Sequence, residues 1–386
     1  METFIYSYPV KVYFGEKATA RNLTAELVKV GPNVMIAYGG GSIKKNGIYD
    51  ELMRLLQEAG KNVTEFSGIM SNPTYAKVQE GAALAREENI DFILAVGGGS
   101  VIDCCKIVSA QARMDKDIWE LEYSDHEQPT EFIPMGAIVT AFGTGAEMNN
   151  GAVITHEEKL LKAALWGAFY SFAILDPVYT MSMPVKQVIS GAFDSLSHCM
   201  ETYMGLPRDV NISDEINEAI QRNIIRNIRA TLENPKDLQA RSELIWDASM
   251  AENGILKIGK TTDFQCHMLE HQLAAYTDCN HGQGLAVLHP RLYRHMMPNA
   301  NHQFARLALN VWNIDPDGKT EADLAEEFVN ALAAFIKEIG LPTTFTEMNI
   351  SDNTNFKAIA DSTVLTGGCA KKFTKEDLLE VLLECR

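Results

Sequence analysis

The sequence lacks any long apolar segment. No run approaches the roughly 18 apolar residues that a helix needs to cross a lipid bilayer, although 46% of the 386 residues are hydrophobic. The first residues show no basic region followed by an apolar one, so no secretory signal is expected. These features predict a cytoplasmic globular protein that has no membrane partner.

Positive charge is also scarce. The chain has 34 Lys and Arg against 51 Asp and Glu, which gives a formal net charge of −17. A protein that binds nucleic acid or an anionic membrane surface needs a surplus of cations. We therefore expect neither of these as a partner, and we expect a small-molecule ligand instead.

Cysteine shows neither disulfide nor metal-binding spacing. The seven cysteines contain no CxxC pair, their number is odd, and Cys104 and Cys105 are adjacent. This usage is typical of a reducing compartment.

The N-terminal half alternates short apolar strands with helices. This pattern predicts a parallel sheet with helices on both faces. From about residue 184 onward nearly every segment has a helical pattern. The length favours two domains, an α/β dinucleotide-binding domain over residues 1–182 and an all-helical domain over residues 183–386. Strands are predicted at 33–38, 62–66, 92–96, 135–139 and 171–175.

The N-terminal segment Thr3–Phe14 alternates and is rich in aromatic and β-branched residues. It predicts one or two further strands. Such a strand outside the main sheet often pairs with a second chain, so we expect a homodimer through this segment.

Three glycine-rich loops follow predicted strands, at Gly39–Ser42, Gly97–Ser100 and Gly143–Gly145. Glycine lets backbone N–H groups approach an anion, and the helix that follows presents unpaired donors. A dinucleotide pyrophosphate is the expected ligand at this edge of the sheet. None of the loops has the GxGxxG spacing, and any single loop of this kind is equally well explained as a tight turn.

The first loop bears on the choice between NAD and NADP. NAD sites usually place an acidic residue after an early strand, where it bonds the ribose hydroxyl. Here glycine fills the three positions after Tyr38, and Ser42, Lys44 and Lys45 follow. The loop therefore favours NADP(H), although the two lysines are equally typical of a solvated helix face.

The strongest chemical signal is a set of spaced histidines. Asp194 and His198 are four residues apart, as are His267 and His271, and such pairs lie on one face of a helix. His281 follows a polar break and begins a third predicted helix. A carboxylate and up to four imidazoles are expected to converge, a donor set that suits Fe(II) or Zn(II). Chance spacing of structural histidines is the alternative.

Together these motifs resemble the iron-containing (group III) alcohol dehydrogenases, and within them the NADPH-dependent butanol and aldehyde dehydrogenase branch. The similarity extends over nearly the whole chain. It is carried by the segments 12–15, 38–42, 72–74, 97–106, 143–149 and 175–177, and by the spaced histidines. The resemblance implies a dehydroquinate synthase-like architecture with the cofactor in a cleft between the domains. It also implies hydride transfer between NADP(H) and short to medium aliphatic alcohols or aldehydes of the butanol and butanal type.

The resemblance further implies roles for individual residues. One divalent metal, Fe(II) or Zn(II), is bound by Asp194, His198, His267 and His281. The cofactor is contacted by Gly40, Ser42, Gly98, Gly99, Ser100, Asp103, Thr140, Thr144, Asn149 and Lys162, with Lys159 competing for the place of Lys162. His271 is the candidate catalytic acid or base. Its alternatives are a proton relay through the cofactor ribose and a role for His271 in orienting a ligand.

Two other functions compete with this interpretation. An NAD- and Zn-dependent polyol dehydrogenase, of the glycerol type, belongs to the same superfamily and would need an acidic residue in the first loop. A non-catalytic metal- or nucleotide-binding regulator would need a broken site, whereas all four ligand positions and the glycine loops are intact.

Overall fold

The computed structural model describes residues 3–386. The chain divides into two compact units. The sheet unit comprises Ser7–Pro184, and the helical unit comprises Val185–Arg386 together with the N-terminal residues up to Tyr6. Within residues 3–386, no helix combines the length and the apolar character needed to cross a membrane.

The sheet unit contains a six-stranded parallel sheet and a separate antiparallel pair of strands. The strands of the parallel sheet are β1 Lys11–Phe14, β2 Asn33–Tyr38, β3 Asn62–Phe66, β4 Phe92–Gly97, β5 Met135–Val139 and β8 Phe172–Leu175. The antiparallel pair is β6 Gly151–His156 and β7 Leu161–Trp166. The order of the parallel sheet is β1-β8-β5-β4-β2-β3. The helices are α1 Ala18–Leu27, α2 Ser42–Lys45, α3 Ile48–Glu58, α4 Tyr75–Glu87, α5 Gly99–Gln111 and α6 Ile118–Tyr123.

The central strands are apolar because both faces of the sheet are covered. Strands β4, β5 and β8 are buried at every residue, and β2 is buried at all but its first. A parallel sheet covered on both faces needs near-continuous apolar runs rather than alternation. The predicted parallel sheet with flanking helices is therefore confirmed, including five of its strands.

The strand order places the three glycine loops side by side. Strands β2, β4 and β5 are neighbours, and each is followed by one of the loops. The chain moves outward from β2 to β3 and then returns to the other side of β2 to form β4. Such a change of direction opens a crevice at the carboxyl ends of the strands, which is where open α/β sheets bind ligands.

Two features of the sheet unit differ from the predictions. Within Thr3–Phe14 only Lys11–Phe14 is a strand, so the expectation of strand structure before Lys11 is wrong. The β6–β7 hairpin was not predicted. Its two strands are only partly buried, so their apolar pattern is weaker than the continuous apolar runs in the strands of the main sheet.

The helical unit carries no β-strand among its described residues, as predicted. Its helices are α7 Val185–Tyr203, α8 Ile212–Glu233, α9 Leu238–Glu252, α10 Gln265–Thr277, α11 His281–Met296, α12 Asn301–Asn310, α13 Glu321–Glu338, α14 Phe356–Ser362 and α15 Lys375–Glu384. Side chains fix several of their starts. Asn280, for example, accepts from the Gln283 N–H and so makes His281 the first residue of α11. Helix α7 is buried at every residue from Ala192 to Tyr203, so the polar groups in that stretch need partners inside the protein.

Gly136 tests the packing of the central strands. A Cβ atom at this position would lie 2.3 Å from the Phe172 ring on the neighbouring strand. We expect Gly136→Ala to destabilise the protein by about 1–3 kcal/mol, because overpacking forces a buried ring to move. Urea unfolding would measure this loss. Gly367→Ala is the control, because a Cβ there meets no atom within 4 Å. Equal stability of the two variants would contradict this account of the core.

Candidate active site

Three helices of the helical unit bring a carboxylate and imidazoles together. Asp194 lies on α7, His267 on α10, and His281 at the first position of α11. The Oδ1 atom of Asp194 is 3.5 Å from Nε2 of His267 and 3.3 Å from Nε2 of His281. One ligand atom from each of these residues lies within 4.8 Å of the other two. We call these three residues the Asp194 triad.

The spacing within the Asp194 triad suits a bound ion. Ligand atoms about 2.1 Å from a tetrahedral ion are separated from one another by roughly 3.4 Å. The distances of 3.3 Å and 3.5 Å bracket this value. They exceed the usual hydrogen-bond lengths, so the groups face a common centre more than they bond to one another.

Buried atoms without partners support the same conclusion. Oδ1 of Asp194, Nε2 of His267 and Nδ1 of His198 are shielded from solvent and have no hydrogen-bond partner. Leaving such groups unsatisfied is costly, and several of them in one place indicate a missing ligand. The residues present therefore fit a divalent cation.

His198 and His271 lie beside the Asp194 triad. Nδ1 of His198 is 3.8 Å from Oδ1 of Asp194, and its ring stacks on His267 with the ring centres 4.5 Å apart. The buried His271 ring lies 6.1 Å from the His267 ring and 5.6 Å from the His281 ring. His198 is thus adjacent to the carboxylate, and His271 approaches the cluster from the side of His281.

Two carboxylates that sequence reasoning missed hold the imidazoles of the triad. Glu201 accepts from Nδ1 of His267, and Glu270 accepts from Nδ1 of His281. Both glutamates are fully buried. Each bond occupies one ring nitrogen and directs the other, Nε2, toward Asp194. Carboxylates of this kind fix the tautomer and orientation of imidazoles that bind metals.

Glu201 and Asp194 also determine the charge of the cluster. Burial alone would lower the pKa of His267, but Glu201 and Asp194 raise it to about 10. Burial would raise the pKa of Asp194, yet His198 and His281 hold it well below its usual range. The cluster therefore stabilises a positive charge beside an ionised carboxylate. The same arrangement of charges would stabilise a divalent cation.

Neighbouring backbone and side-chain groups hold Glu201 in place. Its Oε1 accepts from the Cys266 N–H at 2.7 Å, and its Oε2 lies 3.4 Å from the Ser197 hydroxyl. Nε2 of His289 lies 2.6 Å from the same hydroxyl, and burial lowers the pKa of His289 to about 4. His289 is therefore neutral at physiological pH. The Glu201 carboxylate is held by the Cys266 N–H, by the Ser197 hydroxyl and, through that hydroxyl, by His289.

The sheet unit brings the predicted cofactor residues of two loops together. A Cβ atom on Gly99, at the start of α5, would lie 2.2 Å from Oγ1 of Thr144. Only glycine therefore allows the loop after β4 to approach the loop after β5. Ser100 donates to the backbone carbonyl of Ser71. Thr140 follows β5 directly, and its N–H donates to the Gly97 carbonyl at 2.9 Å.

Asp103 belongs to a buried polar network below these loops. Its Oδ2 accepts from the Val153 N–H at 2.9 Å, and Lys106 lies 3.5 Å from its Oδ1. Lys106, which sequence reasoning did not identify, also donates to Asn149 at 3.0 Å and is fully buried. Burial raises the pKa of Asp103, while Lys106 and Lys162 oppose that rise. The network thus joins α5 to the β6–β7 hairpin.

Of the two competing lysines, only Lys162 is buried. It lies on β7, and its Nζ donates to Asn72 at 3.1 Å. Lys159 is exposed in the turn of the hairpin, where its ammonium lies 5.5 Å from the centre of the Trp119 ring. The two lysines therefore differ in burial and in surroundings.

The loop after β2 has a carboxylate beside it that the sequence did not reveal. Glu65 on β3 accepts from the hydroxyls of Tyr38 and Tyr49 and from Lys44 at 2.9 Å. These three partners, Tyr38 first, lower its pKa to about 2. Lys44 is thus already paired, and Lys45 is left as the exposed cation of the loop with no ion pair of its own among residues 3–386.

The chain matches two family models over most of its length. Residues 9–177 match the model described as iron-containing alcohol dehydrogenase. Residues 188–385 match the C-terminal model of the Fe-containing alcohol dehydrogenase family.

Named relatives agree with the family models. A probable NADH-dependent butanol dehydrogenase 1 of Bacillus subtilis is 37% identical, with 99% of each chain covered. The NADPH-dependent aldehyde reductase YqhD of Escherichia coli is 34% identical, with 91% of this chain and 90% of the relative covered. A crystal structure of NADH-dependent butanol dehydrogenase A from Thermotoga maritima has a TM-score of 0.93 at 31% identity and covers 100% of this chain and 99% of that one. The chain belongs to the iron-containing alcohol dehydrogenase family.

Proposed function

We propose that the protein is a metal-dependent alcohol dehydrogenase and aldehyde reductase acting on short to medium aliphatic alcohols and aldehydes of the butanol and butanal type. The observation that carries the proposal is the Asp194 triad with its two supporting glutamates. Relatives named butanol dehydrogenase and aldehyde reductase support the substrate class. The nicotinamide cofactor follows from the family.

In this proposal Asp194, His198, His267 and His281 hold one divalent ion, Fe(II) or Zn(II). When bound, such an ion polarises an alcohol or carbonyl oxygen and lowers the pKa of the alcohol. Glu201 and Glu270 keep the imidazoles of His267 and His281 in the binding tautomer. His271, a buried titratable group beside the cluster, exchanges the proton that accompanies hydride transfer.

The sheet unit supplies the cofactor site of the proposal. The loops at Gly40, Ser42, Gly98, Gly99 and Ser100 receive the phosphates, and Thr140, Thr144 and Asn149 lie along the cofactor. Lys162 rather than Lys159 faces the nicotinamide side. What supports this choice is its burial and its proximity to Asp103, which places a fixed cation within the network that also orders Asn149.

We favour NADP(H) over NAD(H), although relatives named for either cofactor are similar to the chain. A Cβ atom on Gly40 would meet no atom within 4 Å, so the loop has room for a 2′-phosphate. No acidic side chain lies within the loop, and Glu65 is occupied by its three donors. Ser42 and Lys45 remain to contact the phosphate.

A homodimer through the N-terminal segment is also proposed. Strand β1 is at the edge of the sheet, which is the position at which a strand from another chain can be added. Ile5 is 99% exposed and Phe14 is 47% exposed. An apolar segment that precedes an edge strand in the chain is suited to strand addition between two copies.

The metal role is tested by three variants. We expect His267→Ala to lose bound metal and activity together, because a ligand is removed. Glu201→Gln keeps its size but loses the charge that orients His267, so we expect a metal affinity 10–100-fold weaker. Glu338→Gln, which alters a glutamate in the exposed ion pair with Arg229, is the matched control. Metal content and chelator competition measure the effect, and full metal binding by His267→Ala would contradict the proposal.

The cofactor preference is tested at Gly40. We expect Gly40→Asp to lower the ratio of kcat/KM for NADPH to that for NADH by at least about tenfold, equivalent to about 1.4 kcal/mol, because the new carboxylate repels the 2′-phosphate. Gly40→Asn has nearly the same shape without the charge and serves as the control. A wild-type protein that prefers NADH, or equal effects of the two substitutions, would overturn the assignment of NADP(H).

The dimer is tested by light scattering after gel filtration. We expect the wild-type protein to have twice the mass of the 42.7 kDa chain. Ile5→Asp should shift the mass toward that of the single chain, because it places a charge in the apolar arm. A monomeric wild-type protein would exclude the dimer.

A further inference from the structure

A second group of side chains able to bind a metal lies near the C-terminal end of helix α11. His295 is in the last turn of α11, Glu384 is the last residue of α15, and Glu380 precedes Glu384 by one turn. One ligand atom from each of these three residues lies within 4.8 Å of the other two. Nε2 of His295 is 3.0 Å from Oε1 of Glu384. We call these three residues the His295 cluster.

The His295 cluster is separate from the Asp194 triad. His281 of the triad begins α11, and His295 follows it by fourteen residues on the same helix. At 1.5 Å per residue, the two histidines are roughly 21 Å apart along the helix. The two groups therefore cannot hold the same ion, and an ion bound at His295 would be an additional one.

The ligands of the His295 cluster stand on two helices that pack together. Helix α15 packs against α11 and is anchored by three buried residues, Leu378, Val381 and Leu382. The Sγ atom of Cys385 lies 3.6 Å from the Val287 carbonyl of α11. Residues four apart lie on one face of a helix, so both glutamates of the cluster are on the same face of α15. A site on packed helices needs little rearrangement to bind an ion.

The local charges favour a cation. A helix C-terminus is partially negative, and like charges four residues apart on a helix repel each other. Helix α15 nevertheless ends with Glu380 and Glu384 and has no basic residue in its last turn. In the part of the chain that the structure describes, His295 is the only ion-pair partner of Glu384, and Arg291, one turn before His295, pairs with neither glutamate. A divalent ion would neutralise two carboxylates that otherwise destabilise the end of α15.

We propose that the His295 cluster binds a second divalent ion, Zn(II) or an ion of similar chemistry, which joins α15 to α11. One imidazole and two carboxylates suit Zn(II), whereas Mg(II) and Ca(II) prefer ligand sets made of oxygen alone. Ligand atoms that share such an ion are roughly 3.0–3.4 Å apart, and the His295–Glu384 contact of 3.0 Å already has this spacing. Both glutamates are exposed, so water completes the coordination. The role of the ion is structural, because it binds the folded chain and so stabilises it.

Titration calorimetry with Zn(II) tests the proposal. One equivalent of Zn(II) is added first to occupy the Asp194 triad, and the next ion reports on the His295 cluster. We expect one further ion per chain. We expect His295→Ala, Glu380→Gln and Glu384→Gln each to weaken its binding at least about tenfold, the smallest loss usual for a group that merely supports a metal ligand. His302→Ala is the matched control, because His302 is a surface histidine paired with one exposed glutamate.

Thermal unfolding provides a second measurement. The second equivalent of Zn(II) should raise the Tm of the wild-type protein and of His302→Ala, and should leave the Tm of His295→Ala unchanged. The inference does not depend on the proposed function. If the triad binds no ion, the wild-type protein takes up one ion instead of two, and the three substitutions in the His295 cluster weaken the binding of that ion. The absence of this ion at millimolar Zn(II), its undiminished binding to His295→Ala, or equal weakening by His302→Ala would overturn the proposal.

Discussion

The structure of the helical unit depends on one constraint: a buried carboxylate and several buried imidazoles must share a small volume. Asp194, His267 and His281 face one another at distances longer than usual hydrogen bonds and suited to a common ion. Glu201 and Glu270 hold the far sides of the two rings and so keep them in this orientation. The Ser197–His289 contact then fixes Glu201 in turn. Helices α7, α10 and α11 are thus positioned by charge as well as by apolar packing.

The sheet unit is subject to a different constraint, because its loops must approach one another closely through their backbones. Strands β2, β4 and β5 end side by side, and the glycines that follow allow neighbouring loops to come near one another. Below the loops, Asp103 and Lys106 connect α5 to the β6–β7 hairpin. This network gives the hairpin a role in ordering Asn149 and Lys162, residues that the resemblance alone connected with the cofactor.

Some of this could be predicted from the sequence because it depends on local periodicity. The parallel sheet follows from apolar runs between glycine loops. Asp194 and His267 of the triad were identified from i,i+4 pairs on helices, and His281 from its place at the start of a predicted helix. The partners of those residues could not be predicted in the same way. Glu201 is 66 residues from His267 in the chain, and Glu65 is 21 residues from Lys44. Nothing in the local pattern distinguishes either glutamate from one on a solvated helix or strand face. The hairpin was missed because its strands are only half-buried and so lack a strong apolar signal.

In the proposed function, one metal ion bound at the Asp194 triad is needed for hydride transfer. The most direct measurement titrates metal-free protein with Fe(II) under anaerobic conditions and follows NADPH consumption with butanal, with Zn(II) and NADH as parallel arms. We expect the rate to rise in proportion to bound metal and to reach its plateau at one ion per chain. Full activity in protein shown to contain no metal would contradict it.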